Sequence, residues 1–463
     1  MNECSRRTFF HLSGAAAFAG LGLPQRLRGQ EVQFPPAVPS NQVYPYDSRS
    51  PVALVKGDDR RKNVTEALLA VDREIAPALN RKKYVAIKVN NVDTRNQLAA
   101  THVDAIRGIL DYLEPRFKGE VMIVESSMGD GLAAFENFKY AQVIPEYKKF
   151  NIRLIDLNRE AKYEVFDIID SNIRPVPVRL AARLLDPDAF IISSAMLKTH
   201  DNVVATATVK NMAMGAPLIL GAGPGQRGSS DKGLMHAWGS SMGRGGGGRG
   251  GPQGFGRGGG PQAGGPPQAG MGPGAGPGAG GPPQAGMGPG AGPGAGGPTQ
   301  AAGGVPPQAA GGGMGAGIPG GGPAGGARGG GMGMRERGYR YHAMNYNLAV
   351  VAKKLSGFWG CGVIDGFEGM EGNGPIQGTA IKMGVALASP DLVAADRVAL
   401  DLMMIPAHAV GYLQYAGALG VGQYDISKID VRGEKPETLA RQFKLRNNVE
   451  EQLDWLHDIV RPG

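Results

Sequence analysis

The chain has 463 residues, including 76 glycines and 34 prolines, and a formal net charge of +8. Residues 1–30 hold four arginines and one glutamate, and residues 222–337 hold eight basic and two acidic residues, so the rest of the chain is close to neutral. The positive charge therefore does not predict nucleic-acid binding. The two cysteines, Cys4 and Cys361, are too few for an iron–sulfur cluster or a cysteine-bound structural zinc on this chain.

The first 30 residues resemble a twin-arginine export signal. The string Ser5-Arg6-Arg7-Thr8-Phe9-Phe10 is followed by a short apolar run from Leu12 to Leu23. That run is shorter than the ~20 apolar residues of a membrane span. We therefore predict a partner in the twin-arginine export machinery, a periplasmic or extracellular location, and no stable membrane span beyond the signal. A basic, alanine-rich tail without a targeting role would have the same composition.

Strand-like runs alternate with helical patterns between residues 50 and 220. The predicted strands are Val52–Val55, Tyr84–Val89, Val121–Val124, Ile152–Ile155 and Phe190–Ile192. The predicted helices are Val64–Leu79, Thr101–Leu113, a segment that ends near Leu185, and one that begins at Val203. Such alternation is typical of a mostly parallel sheet. Right-handed crossovers would place helices on both of its faces.

A block rich in glycine, proline, alanine and glutamine follows, at residues 240–335. Within it, the segment Pro266–Gly281 recurs unchanged as Pro282–Gly297. The block has too few bulky apolar side chains to bury the surface that would offset its chain entropy. We predict a long disordered insertion, either a repetitive surface loop or a tether to the cell wall or to a partner.

The second half of the chain returns to strand and helix patterns. Strands are predicted at Cys361–Ile364 and Met383–Leu387, and helices at Asp391–Leu402 and Ala407–Leu419. We therefore predict an α/β fold with a mostly parallel sheet and helices on both faces, interrupted by the disordered Gly/Pro-rich insertion. The core would consist of residues 50–220 and 340–435, with a helical tail at 436–463. Cys361 is expected to be a buried packing residue rather than a nucleophile.

The first candidate cluster lies at the end of the strand that begins at Tyr84. Ligands of open α/β sheets bind beyond the carboxyl ends of the strands. Lys88 and Asn90 occupy that position and could hold an anion or a carbonyl group. An ordinary polar strand end would show the same residues.

A second cluster combines Thr101-His-Val-Asp104 with Glu125-Ser-Ser127. Thr101 followed three residues later by Asp104 matches a helix-capping pattern. His102 is not required by that cap, and Glu125 closes another predicted strand. Both side chains are therefore candidates for the same crevice.

A third cluster follows the strand that ends at Ile192. It contains Lys198, Thr199 and His200, and then Lys210-Asn211. The predicted helix from Val203 would present free N–H groups and a positive dipole end to an anion. We therefore favour a site for an anionic ligand here over a purely structural role.

The fourth cluster is the segment from Asp365 to Pro375, in which acidic residues alternate with glycines. Asp365, Glu368 and Glu371 are spaced by three, and Asn373 follows them. Carboxylate oxygens suit a hard cation such as Mg²⁺ or Ca²⁺, and glycines allow tight turns. The segment predicts either a divalent-metal site or a glycine-rich turn with solvated acids.

Together, the third and fourth clusters resemble the family catalogued as domain of unknown function 362. The resemblance extends from about Val52 to Gly433 and is interrupted by the Gly/Pro-rich block. Members of that family often carry a ferredoxin-like iron–sulfur module or a twin-arginine signal. This chain has the signal pattern without the cysteines of the module. The resemblance implies the fold more strongly than it implies a chemistry.

Two functional hypotheses follow. In the first, the protein is an enzyme that acts on a small anionic substrate, with His200 and Lys198 as catalytic residues. A divalent metal is a candidate cofactor, with Asp365, Glu368 and Glu371 as its ligands. In the second, a non-catalytic periplasmic accessory protein holds a ligand or metal in the same pocket. The predicted substrate-binding residues are Lys88, Asn90, Thr199, Lys210, Asn211 and Asn373.

Overall fold

The computed structural model describes residues 25–27, 30–32, 34, 43–220, 229–237 and 334–459. The predicted export motif at residues 5–10 lies outside these ranges, as do residues 238–333, which make up nearly all of the predicted insertion. Among the described helices, none combines the length and the apolar character that a membrane span requires.

The described strands are short at the N-terminus and long near the centre of the chain. In chain order they are β1 Gln25–Leu27, β2 Gln30–Val32, β3 Ser50–Lys56, β4 Tyr84–Lys88, β5 Glu120–Glu125, β6 Asn151–Asp156, β7 Tyr163–Ile169, β8 Pro175–Ala181, β9 Ala189–His200, β10 Val204–Thr206, β11 Ile219–Leu220, β12 Ser229–Ser230, β13 Trp359–Asn373, β14 Gln377–Ser389 and β15 Ile429–Gly433.

The described helices connect these strands and form the C-terminal segment. They are α1 Arg60–Ala70, α2 Asp72–Leu79, α3 Val103–Leu113, α4 Gly131–Asn137, α5 Val143–Glu146, α6 Thr208–Gly215, α7 Asp231–Met235, α8 Met334–Leu355, α9 Leu392–Leu402, α10 Gly411–Ala418, α11 Pro436–Leu439 and α12 Val449–Ile459. Short 3₁₀ helices occur at Gln97–Ala99, Tyr140–Gln142, Leu157–Arg159, Ala182–Leu185, Ser356–Phe358, Ala407–Ala409 and Ile426–Lys428.

Nine strands form one mixed sheet in the order β15-β3-β14-β13-β9-β4-β5-β6, with β10 paired to β9. Five of its strand pairs are parallel, and three, those of β14 with β13, β14 with β3 and β10 with β9, are antiparallel. The predicted α/β fold with a mostly parallel sheet is thereby confirmed. Outside this sheet, β7 and β8 form a separate antiparallel hairpin.

The core has two layers, one on each face of the sheet. Because side chains alternate along a strand, Val85 and Ile87 of β4 face one layer and Ala86 faces the other. The first layer contains apolar residues of α1 to α5, and the second contains those of α6 to α10 and α12. Helices therefore cover both faces, as predicted, and Cys361 is a buried packing residue of the first layer.

Strands β9 and β13 extend beyond the carboxyl ends of their neighbours. Lys88, the last residue of β4, is opposite Ser193, and β9 continues from there to His200. Along that extension β9 pairs with β13, so that Asp365 is opposite Met196 and Met370 is opposite Lys198. The third and fourth sequence clusters therefore lie side by side at one edge of the sheet.

Several predicted elements differ from the structure. The helix predicted at Val64–Leu79 is two helices that meet at Val71, where φ is −116°. The helix predicted to end near Leu185 is wrong, because β8 and a 3₁₀ turn occupy that segment. The helix expected from Val203 begins only at Thr208, since residues 204–206 pair back onto β9.

Asp391 joins three separate parts of the chain. Its carboxylate accepts hydrogen bonds from Ser50 Oγ at 2.6 Å and from the backbone N–H groups of Gln423 at 2.8 Å and Ala394 at 3.1 Å. It thereby caps α9 and fixes the start of β3. The side chain is buried, so these donors have no access to water as an alternative.

We expect Asp391→Ala to lower the free energy of unfolding by about 3 kcal/mol, through a lost cap and unsatisfied buried donors. Asp425→Ala is the matched control, since Asp425 caps a short surface helix through Ser427. Its expected loss is about 1 kcal/mol or less. Urea denaturation followed by circular dichroism would compare them, and equal losses would contradict the role assigned to Asp391.

Candidate functional site

Four lysines are buried at the carboxyl edge of the parallel strands. Lys88 ends β4, Lys198 lies near the end of β9, Lys210 is in the first turn of α6, and Lys232 is in α7. None is more than 6% exposed. We call these four residues the lysine cluster. Lysine is almost never fully buried without a partner, so the partners of each ammonium group decide what the cluster can do.

Lys88 has a complete set of partners. Its Nζ lies 2.7 Å from Glu125 Oε1 and donates hydrogen bonds to Val89 O at 2.7 Å and Asn211 Oδ1 at 3.1 Å. Burial lowers the pKa of Lys88, and the Glu125 carboxylate opposes that shift. An ammonium group has three N–H donors, so these three acceptors hold Lys88 as the charged member of a buried ion pair.

Lys198 and Lys232 each have two acceptors. Lys198 Nζ donates to Asn90 Oδ1 and to Ala99 O, and Lys232 Nζ donates to Ser126 Oγ at 2.8 Å and Met214 O at 2.6 Å. Burial lowers the pKa of both to about 7, and the charge of Lys210 contributes to both shifts. Each therefore exchanges between charged and neutral forms near neutral pH.

Lys210 differs from the other three. Within the described ranges its Nζ has no hydrogen-bond or ion-pair partner, although the residue is only 6% exposed. Burial lowers its pKa to about 8, opposed by the charge of Asp201. The cluster therefore contains one ammonium group with no acceptor of its own.

Asn90 and Asn211 position the lysines through their amide groups. Asn211 Oδ1 accepts from Lys88 and from Asn90 Nδ2 at 3.2 Å, while Asn211 Nδ2 donates to Lys88 O and Ser193 Oγ, each at 3.1 Å. Asn90 Oδ1 accepts from Lys198. The structure thus brings both residues to the cluster, where they hold the lysines in place.

His200 lies at the end of β9, beside the cluster. Its Nδ1 is 3.1 Å from both the backbone N of Asn202 and Asp201 Oδ1. Burial, and then the charge of Lys210, lower the pKa of His200 well below its ordinary value, so the ring is neutral at pH 7. His236, which ends α7, has a pKa of about 3 for the same two reasons.

Thr199 and Asn373 have structural partners. Thr199 Oγ1 donates to Gly372 O at 3.0 Å, which joins β9 to β13. The backbone carbonyl of Asn373 accepts from Arg446 Nη1 at 3.1 Å. These hydrogen bonds fix the extended strands against the C-terminal segment, and neither residue bonds to a lysine of the cluster in the described part of the chain.

The predicted metal site is not formed. Arg60 lies 3.2 Å from Asp365 Oδ2 and 3.3 Å from Glu368 Oε2, whereas Glu371 Oε1 lies 3.2 Å from Lys444 Nζ. No group of three or more His, Cys, Asp or Glu side chains within the described residues could hold a metal ion. The segment is part of strand β13 rather than a loop, and its carboxylates pair with two cations, Asp365 and Glu368 with Arg60, and Glu371 with Lys444.

No hydrogen bond or ion pair joins His200 to Asp365 or Glu371 among the residues that the structure describes. In this structure His200 contacts Asp201 and Asn202, whereas Asp365 and Glu371 pair with Arg60 and Lys444. The two sequence segments are adjacent, but their side chains serve different partners.

The anion site predicted at the helix N-terminus is also corrected. The carboxylate of Asp396, from α9, accepts from the backbone N–H groups of Thr208 at 2.7 Å and Val209 at 3.0 Å. A protein carboxylate thus takes the position expected for a ligand. Burial raises the pKa of Asp396 to about 7.

The capping pattern near residue 101 was assigned to the wrong side chain. His102 caps α3, with Nδ1 accepting from the backbone N of Asp104 at 3.1 Å. Thr101 is buried instead, and its Oγ1 donates to Ser194 O at 3.0 Å and accepts from Asn90 N at 2.9 Å. It therefore joins the segment that follows β4 to the middle of β9.

Sequence reasoning missed Lys232 and the partner of Lys88. Lys232 is next to the Gly/Pro-rich block, where a basic residue is expected to be solvated. The sequence suggests Glu125 as a candidate for the crevice but does not indicate that it pairs with Lys88. The register of β4 with β5, which places Lys88 opposite Val124, is what brings Glu125 to Lys88.

A surface depression of about 420 Å³ is lined by residues of both charges, including Lys56, Asp58, Lys382, Glu434 and Arg441. None of the lysine cluster lines it. The mixed signs of its charges favour no ligand class.

Comparison with known proteins identifies the family. No curated protein matches the chain. A crystal structure from Thermotoga maritima is similar at 9% identity and a TM-score of 0.27, over 36% of this chain and 40% of that one, which is too distant to support any inference. The model of the family described as Domain of unknown function (DUF362) matches residues 85–401, more than half of the chain. The chain therefore belongs to the DUF362 family.

Proposed function

We propose that the protein binds a small polyanionic molecule at the lysine cluster and acts on it as an enzyme. The observation that carries this proposal is an imbalance of buried charge. Four lysines are buried together, and Glu125 is the one carboxylate with which any of them forms an ion pair among the described residues. An uncompensated buried charge is costly, and an anionic ligand would remove that cost.

The hydrogen-bond partners support the same conclusion. An ammonium group donates three hydrogen bonds. Lys88 has three acceptors, Lys198 and Lys232 have two each, and Lys210 has none within the described ranges. A ligand with several anionic oxygens, such as a phosphate ester or a polycarboxylate, supplies the acceptors that are lacking.

An enzymatic role is supported by proton-transfer groups beside the cluster. The pKa of Lys198 is about 7, which suits a group that both gives and takes protons at neutral pH. His200 is buried in its neutral form, in which one ring nitrogen donates and the other accepts. A ligand that the protein binds but never converts would instead support the alternative hypothesis, in which the protein is a non-catalytic accessory protein.

We also propose export through the twin-arginine route to the periplasm or the cell exterior. The support is the string Ser5-Arg6-Arg7-Thr8-Phe9-Phe10 and the apolar run that follows it. That route carries folded proteins, which fits a core whose site residues come from distant parts of the chain.

Inorganic pyrophosphate is a suitable probe of the cluster, and titration calorimetry is the measurement. We expect wild-type protein to bind it and Lys210→Gln to weaken binding by roughly tenfold to a hundredfold, because hydrogen bonds to charged groups contribute about 1.5–3 kcal/mol. Thermal unfolding of Lys210→Gln should occur at about the same temperature, since the change removes no hydrogen bond or ion pair of Lys210 in the described part of the chain.

The control for this experiment is Lys83→Gln, because the Lys83 side chain is 76% exposed and pairs with Asp188 at the surface. Its affinity for pyrophosphate should equal that of the wild type. Folded wild-type protein that binds neither pyrophosphate nor citrate would contradict the proposed function.

Binding should also take up protons at pH 8. Burial has lowered the pKa of Lys198 and Lys232 to about 7 and of Lys210 to about 8, so much of the cluster is neutral at that pH. A bound anion favours the charged forms and raises these pKa values. His200 and His236 remain neutral throughout this range.

The uptake is measured by titration with sulfate, an anion whose own charge does not change between pH 6 and 9, at pH 8 in buffers that differ in ionisation enthalpy, such as Tris and HEPES. The apparent binding enthalpy should depend on the buffer at pH 8 and much less at pH 6, where the lysines are already protonated. The affinity should fall as the pH rises from 6 to 9. An affinity that rises with pH would show that the cationic forms of these lysines do not bind the ligand.

The export proposal is tested by changing both arginines, Arg6→Lys and Arg7→Lys, in a tagged full-length chain. We expect the wild type in the periplasmic fraction and the double variant in the cytoplasm, since lysine pairs are poor substitutes in this signal. The conservative change keeps the charge. Equal periplasmic amounts of both chains would exclude the twin-arginine route.

A further inference from the structure

We propose that Lys210 is a nucleophile that forms a Schiff base with an aldehyde or ketone carrying a carboxylate or phosphate group. This inference rests on the proposed function, because the rest of the lysine cluster binds the anionic group. It adds the class of the substrate and the atom that reacts.

The partners of the four lysines single out Lys210. Lys88 is held as the charged member of an ion pair with Glu125, and Lys198 and Lys232 each donate two hydrogen bonds to fixed acceptors. A reacting amine must instead bring its nitrogen lone pair to a carbonyl carbon. Only Lys210 of the four lacks a polar partner among the described residues, so its amine is free to do so.

The surroundings of Lys210 favour the neutral amine that this chemistry requires. The residue is more than nine-tenths buried. Its positive charge lowers the pKa of Lys198, His200 and His236. Nucleophilic lysines are activated by desolvation, and burial is the cause that lowers the pKa of Lys210. At a pKa of about 8, roughly a tenth of Lys210 is neutral at pH 7, far more than of an exposed lysine.

The backbone of Lys210 is fixed on both sides. Val209 donates its backbone N–H to Asp396, and the side chain of Asn211 is bonded to Lys88 and Ser193. A rigid backbone holds the Lys210 amine within reach of a bound carbonyl group. Because the end of the side chain has no partner among the described residues, the nitrogen lone pair can react. The backbone of Lys210 is therefore fixed, while its Nζ makes no hydrogen bond or ion pair among the described residues.

The reaction needs no redox partner. The Lys210 nitrogen attacks the carbonyl carbon and forms a carbinolamine, and the carbonyl π electrons move to oxygen. The C–O bond then breaks, and the oxygen leaves as water with the two hydrogens that the amine loses. A C=N double bond between Lys210 and the substrate remains, and protonation of that nitrogen makes it an electron acceptor for the adjacent carbon.

The experiment traps this bond by reduction with cyanoborohydride on full-length wild-type protein. Two matched pairs of probes are used, dihydroxyacetone phosphate against dihydroxyacetone, and pyruvate against acetone. The adduct should add the mass of one probe less one oxygen atom, and peptide mapping should place it on Lys210. The anionic member of at least one pair should react faster than its neutral partner by about tenfold or more, through charged hydrogen bonds to the cluster.

Two further arms separate this inference from the proposed function. Lys210→Arg keeps the charge and should still bind pyrophosphate but give no adduct at residue 210, and pyrophosphate should inhibit trapping in the wild type. Pyrophosphate binding without any adduct on wild-type Lys210 would overturn the Schiff-base inference alone. Adducts of equal yield on Lys210 and on exposed Lys83 would overturn it as well. Absence of pyrophosphate binding would overturn the proposed function itself.

Discussion

The cost of burying positive charge is the constraint on which the rest of this structure depends. One ion pair, between Lys88 and Glu125, is fully satisfied and sits at the ends of β4 and β5. Around it, Lys198, Lys210 and Lys232 are buried without carboxylate partners of their own in the described part of the chain. Amide, hydroxyl and backbone acceptors bind Lys198 and Lys232, and burial lowers the pKa of all three lysines.

The sheet topology is what gathers these residues. Parallel pairing of β4, β5, β9 and β13 brings four carboxyl ends to one edge, and the long extension of β9 carries Lys198 and His200 past its neighbours. Much of this was predictable, because the predicted strands Tyr84–Val89 and Phe190–Ile192 place Lys88 and the segment around Lys198 at a shared edge. The residues on either side of the Gly/Pro-rich block were predictable only as solvated segments, so Lys232 was missed.

Other errors have a common physical origin. The glycines among Asp365, Glu368 and Glu371 suggested a turn around an ion, but pairing with β9 and β14 holds that segment extended. Thr101 matched a capping pattern, yet its burial between β4 and β9 left the cap to His102. In each case the local pattern described an isolated segment correctly, but a contact with a distant strand gave the segment a different conformation or a different partner.

The Asp396 carboxylate has a consequence for the order in which this protein is made. It holds the start of α6, the helix that carries Lys210, although it lies on α9, beyond the whole Gly/Pro-rich block. A ribosome must therefore complete some 190 residues after Thr208 before that helix is anchored. The helix that carries Lys210 therefore takes its final position only after Asp396 has been synthesised.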